Sequence, residues 1–132
     1  WPKVVLKSCD GGSFLGNSDP IKYRDKKLHF KGSQNVLTSI AYLNKINWLK
    51  NREEVVVVGS FNGGIAALLW SDYIRAQTNG KFRIIADATL FLNTHSYRHN
   101  NSYIEDRMMM VEKLTMENIT FPNAGCAAAH PG

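Results

Sequence analysis

Residues 53–75 read E-E-V-V-V-V-G-S-F-N-G-G-I-A-A-L-L-W-S-D-Y-I-R. An apolar run, a glycine turn and then a small-residue helix is how a G-x-S-x-G turn presents a nucleophilic serine for acyl transfer. Here the bracketing glycines are Gly59 and Gly63, and the residue midway between them is Phe61. A phenyl ring offers no lone pair to attack a carbonyl carbon and no proton for a base to remove. It is also expected to fill the space that an acyl group would occupy. Two serines are the substitute candidates. Ser60 comes one residue early, and side chains around a tight turn diverge, so it is expected to point into the structure or along the strand end. Ser13 sits in the loop C-D-G-G-S-F, where serines usually bond to nearby backbone groups. The sequence places no base beside either.

The other chemistry-bearing residues give less. His95 and His99 are four apart, but the S-Y-R between them and the H-N-N-S that follows read as loop. His29 and His130 stand in no ligand spacing, so no zinc site and no other metal is expected. Asp87 follows a short apolar run and reads as a structural hydrogen-bonder. No cofactor motif is present, and the Met108–Met110 run reads as core or interface filling.

The elements that must position these residues alternate. Val4–Lys7 has the apolar signature of a buried strand, and the glycine-rich C-D-G-G-S-F-L-G-N-S-D-P follows it. Residues 20–31 read as charged and irregular. A helix is expected from Ser33 as N-cap, with Val36, Ile40 and Leu43 at helical spacing. The unalternating valines of 53–59 predict a strand buried on both faces. A helix from Gly63 to about Ala76, a strand at K-F-R-I-I-A-D-A and a last amphipathic helix over 102–117 complete the order. This β-α-β-α-β-α alternation calls for a parallel sheet with helices on its faces. Three strands make a thin sheet, so the α/β fold is expected to be partial: one domain over 1–132, completed by sequence or a partner chain outside it.

Composition excludes more than it selects. The chain has 132 residues, 44% of them hydrophobic, and a formal net charge of +5. No apolar run approaches the roughly 20 residues that a membrane span needs. The opening W-P-K-V-V-L-K carries no signal peptide and reads as the lead into a strand, as in a processed chain or fragment. Lys22, Arg24, Lys26, Lys27 and Lys31 crowd ten residues against one acid, Asp25. Such a patch is first a solvated loop and second a site for an acidic partner such as an anionic glycan; no motif accompanies it that would favour nucleic acid. Cys9 and Cys126 are candidates to pair with each other, with cysteines outside the chain, or not at all. Sequons at Asn100 and Asn118 point toward the secretory route.

Four segments together resemble the pectin acetylesterase/Notum family of carboxylesterases, which has an α/β-hydrolase-type fold. W-P-K-V-V-L-K-S-C-D-G-G-S-F-L-G-N is similar to the family's strand and C-D-G-x-S-F-x-G loop. L-H-F-K-G-S-Q-N-V-L-T-S-I-A-Y-L is similar to its L-x-F-R-G segment and helix, and I-I-A-D-A-T-L-F-L-N to its A-D-A-G-x-F-L segment. V-V-V-V-G-S-F-N-G-G looks like its G-C-S-A-G-G elbow. The resemblance implies an extracellular, partly three-layer hydrolase-type fold. It puts Asp10, Gly11, Ser13 and Phe14 at the pocket lining, and Asn62 and Gly63 at the elbow backbone that would serve an oxyanion. The same alignment sets Phe61 on the nucleophile position, and Thr89 on a glycine of the family.

Three readings follow. The first is a pectin acetylesterase-like protein without hydrolytic activity, kept as a structural or binding component of a larger extracellular assembly. The second is a piece of an active carboxylic-ester hydrolase acting on a polysaccharide or protein. The third is an anionic-glycan-binding module built on the 22–31 patch.

Overall fold

The structure, a computed structural model, describes residues 1–90, 94, 95, 128 and 129. The helix expected over 102–117, the sequons at Asn100 and Asn118, and Cys126, His99 and His130 lie outside them. The described residues have α/β architecture, with a small parallel sheet and helices, as a partial hydrolase-type fold requires.

Two strands open the chain's regular structure: β1, Ile21–Tyr23, and β2, Lys26–Leu28, pair antiparallel around Arg24 and Asp25. The stretch expected to be irregular is therefore largely a hairpin. α1, Gly32–Lys45, follows it. Ser33 does not cap this helix. It lies within the first turn, and both its amide and its hydroxyl donate to the Gly16 carbonyl at 3.1 Å. The group that would have capped a helix end instead fastens the glycine loop to α1.

β3, Glu54–Ser60, runs parallel to β4, Lys81–Asp87, in register from Glu54↔Lys81 to Ser60↔Asp87. Between them lie α2, Asn62–Leu69, and α3, Ser71–Arg75. The single helix expected over 63–76 is thus broken at Trp70, where the backbone opens to ψ 0°. The Trp70 indole is buried, donates from Nε1 to the Phe14 carbonyl at 3.1 Å, and meets the Tyr73 ring edge-on.

The core forms where the helices meet the sheet. Val36, Ile40 and Leu43 of α1 join Ala66, Trp70 and Ile74, with Val55 of β3 and the loop residues Leu15 and Leu49. Val57 and Phe82 pack against this cluster from the sheet. Burial of these side chains supplies about 1.5–3 kcal/mol apiece for the larger ones. The valine run is buried on one face only among the described residues: Val58 and, opposite it, Ile85 are 66% and 53% exposed. Strand periodicity explains this, since Val56, Val58 and Ser60 point away from the face that the helices cover.

Val4–Lys7 is not a strand. It finds no ladder partner among the described residues, and Val4, Val5 and Leu6 are exposed. A strand exists only where a neighbour takes its amides and carbonyls, and apolar composition cannot provide that neighbour.

Candidate functional site

The candidate active site is the corner where β3 becomes α2. Gly59 is the last residue but one of the strand, and a Cβ there would land on the Gly63 carbonyl group and 2.6 Å from the Gly64 nitrogen. A Cβ on Gly64 would strike the Thr89 methyl and lie 2.9 Å from the Gly59 carbonyl oxygen. Strand and helix therefore pass at backbone contact, which only glycine permits. Gly63, by contrast, faces open space. Thr89 also donates from Oγ1 to the Ala86 carbonyl at 3.2 Å.

At the apex stands Phe61, with φ 52° and ψ −116°. This is a conformation that a bulky side chain avoids at a cost of about 1–3 kcal/mol. Surrounding hydrogen bonds hold it there. The Phe61 amide donates to the Asp87 carbonyl at 2.9 Å, and its own carbonyl accepts from Gly64 and Ile65 at 3.0 and 3.1 Å. The last residue of β4 and the first turn of α2 thus pin both sides of the residue. Asn62 and Gly63 occupy that first turn, where a helix supplies no acceptor of its own for the amides. Phe61 is 54% exposed.

Ser60 and Asp87 are opposite one another in the parallel register. Ser60 Oγ donates to Asp87 Oδ2 at 3.1 Å, and both are exposed on the sheet face that the helices leave open. The serine is therefore on the far side of the strand from α2 and does not point inward. A hydroxyl donating to a carboxylate is a clasp between strand ends. Serine hydrolysis asks for an imidazole next to the hydroxyl, with the acid behind it. Of the described histidines, His29 and His95 are both exposed on the surface.

The glycine loop makes a second feature beside the elbow. Asp10 Oδ1 accepts from the Gly12 amide at 2.9 Å, which closes a tight turn, and the Leu15 amide donates to Gly12 at 2.9 Å. Gly11, Ser13 and Phe14 all have positive φ, at 69°, 53° and 62°. Ser13 is 6% exposed, which leaves its hydroxyl poorly placed to meet a substrate from solution. Asp10 Oδ2 is buried and has no hydrogen-bond partner among the described residues. Cys9, just before the loop, is exposed.

Two features were not legible in the sequence. The Ser60–Asp87 pair depends on a register that no local pattern encodes. The tie from Trp70 to Phe14 joins residues 56 apart. The basic patch also divides: Lys22, Arg24, Lys26 and Lys27 belong to the β1–β2 hairpin, whereas Lys31 donates to Asn17 Oδ1 at 3.2 Å beside α1. No helix among the described residues is long and apolar enough to cross a membrane, and no three metal-binding side chains converge among them.

Pectin acetylesterase 7 of Arabidopsis thaliana is 27% identical over 95 residues, covering 70% of this chain and 24% of its own. Pectin acetylesterase 5 of the same plant is likewise 27% identical over 95 residues, covering 70% of this chain and 22% of its own. The match thus spans about a quarter of the length of these curated relatives. No solved structure matches the chain. The family model described as pectinacetylesterase matches residues 1–131, nearly the whole sequence, and the chain belongs to that family of carboxylic-ester hydrolases.

Proposed function

We propose that this chain is a non-hydrolytic member of the pectinacetylesterase family, retained as a binding component of an extracellular assembly. The observation that carries the reading is Phe61, held at the apex of an intact strand-to-helix turn. Acyl transfer needs a nucleophilic oxygen at that point. Its loss costs about 10⁶-fold in serine hydrolases, leaving only the contributions of binding and oxyanion stabilisation. Fold and chemistry separate in this way because the scaffold is held by packing while the reaction depends on a few side chains. The extracellular placement is supported by the sequons at Asn100 and Asn118 and by the pectin named in the relatives' activity.

The competing reading, an active ester hydrolase with Ser60 as its nucleophile, has one observation in its favour: the hydrogen bond to Asp87. A carboxylate alone is a poor partner for drawing the proton from a serine hydroxyl. Fluorophosphonate labelling with mass spectrometry of the modified peptide, alongside p-nitrophenyl acetate hydrolysis, decides between them. The expected result is no labelling and hydrolysis at the buffer rate. Stoichiometric modification of Ser60 or Ser13 would establish the esterase reading instead.

A further inference from the structure

We infer that Asn79 is a site of spontaneous modification, in which its side chain closes on the Gly80 nitrogen and loses ammonia. The chain offers this chemistry two starting points among the described residues, because Asn-Gly occurs at 62–63 and at 79–80. The fold treats them differently. Asn62 and Gly63 are the first two residues of α2, and Asn62 is half-buried. Asn79 and Gly80 lie in the irregular turn between α3 and β4, and Asn79 is exposed. The Asn79 amide is held by one long contact, from Nδ2 to the Lys50 carbonyl at 3.5 Å. The Gly80 amide donates to no acceptor among the described residues, whereas the next amide, that of Lys81, donates to Glu53 at 2.8 Å. Packing also fixes glycine at position 80, since a Cβ there would strike the Arg52 and Glu53 carbonyl oxygens. The close approach that demands glycine thereby leaves the nitrogen beside Asn79 unshielded.

The step balances with water alone. Hydroxide removes the Gly80 amide proton, the nitrogen attacks Cγ of Asn79, and the bond from Cγ to Nδ2 breaks to release ammonia. The product is a cyclic imide, which water then opens at either carbonyl. Opening at Cγ leaves an ordinary aspartate. Opening at the main-chain carbonyl leaves isoaspartate, whose backbone runs through Cβ and Cγ and is one carbon longer. Nothing is oxidised or reduced. Ring closure requires the asparagine ψ to turn the following nitrogen toward its own side chain, well away from the helical value of about −42°. Asn62 must therefore leave the first turn of α2 to react, and its neighbour Phe61 is tied on both sides. Asn79 starts outside any helix. The consequence falls on β4. An extra backbone carbon enters where Gly80 passes in contact with residues 52 and 53, just before the ladder with β3 begins. A carboxylate at 79 also lacks the donor that reached Lys50 and faces that carbonyl oxygen instead.

None of this depends on whether the elbow is catalytic. The test uses the full chain, aged at mildly alkaline pH with and without urea and then cut with trypsin. Asn79 falls in the peptide 76–81 and Asn62 in 53–75, so mass spectrometry follows each separately. Isoaspartyl methyltransferase labelling identifies the rearranged product. In urea the two asparagines are expected to convert at rates within about threefold of each other. In the folded chain Asn79 is expected to outrun Asn62 by at least about tenfold, since the helix must open for one and not for the other. Rates in the folded chain as close as those in urea, or faster loss at Asn62, would overturn the proposal. The Asn79→Gln variant should leave 76–81 without isoaspartate while 53–75 reacts as before; label persisting in 76–81 would place the reaction elsewhere and overturn it too. The isoaspartyl fraction should melt below both the parent and the Asn79→Asp variant, which carries the charge on an unlengthened backbone. A fraction that melts together with Asn79→Asp would overturn the effect on β4, whatever the rates.

Discussion

Phe61 and Arg24 have nearly the same φ, 52° and 53°, in opposite surroundings. Phe61 sits where strand, helix and neighbouring strand close on one another, with hydrogen bonds on both sides and glycines on either flank. Arg24 sits on an exposed two-residue turn, with the Tyr23 ring as its recorded contact. The same unfavourable dihedral is thus imposed by packing in one place and tolerated locally in the other. The difference separates geometry enforced by packing from geometry set within one turn. The elbow holds its backbone in this path because strand, helix and neighbouring strand close on it. The hairpin turn has no such enclosure around it.

The largest effect should come from tightening the elbow. Gly59→Ala drives a methyl into the Gly63 and Gly64 backbone and is expected to cost about 3 kcal/mol or more, read from the denaturant midpoint. Gly63→Ala, facing open space in a helix, should be neutral or stabilise by about 0.5–1 kcal/mol. If the two behaved alike, packing would not be what enforces the turn. Next comes Phe61→Gly, which should stabilise by about 1 kcal/mol through relief of the dihedral without opening a cavity, given the exposure of the ring. Arg24→Gly should gain less, a few tenths of a kcal/mol, because it gives up the contact with Tyr23 as it relieves its dihedral. A larger gain at Arg24 than at Phe61 would invert the comparison. Smallest is Ser60→Ala: an exposed hydrogen bond is removed, so thermal unfolding should shift by less than about 1 kcal/mol and esterase activity should remain at background.

Local patterns foretold much of this architecture and few of its pairings. The stripe Val36, Ile40, Leu43 specified α1, and the valine run specified β3, because side-chain periodicity is a property of one segment. The elbow was legible from Gly59, Phe61 and Gly63 for the same reason. The failures concern partners. Val4–Lys7 has strand composition but no neighbour among the described residues, and the valine run has helices on one side only there. Ser33 looked like a cap until a loop 17 residues earlier competed for its hydroxyl. Ser60 meets Asp87 through a register that neither segment announces alone. The hairpin escaped notice because its strands are three residues each and mostly charged, too short and too polar for alternation to stand out.

The indole of Trp70 gives the molecule a built-in optical reporter. Its ring is enclosed and its N–H is engaged by the carbonyl of Phe14, whereas Trp1 is 91% exposed and Trp48 lies under the guanidinium of Arg52. Emission from the enclosed ring should therefore lie to the blue of the other two and move red when the glycine loop detaches from the helices. The docking of the loop beside the elbow can thus be followed by fluorescence.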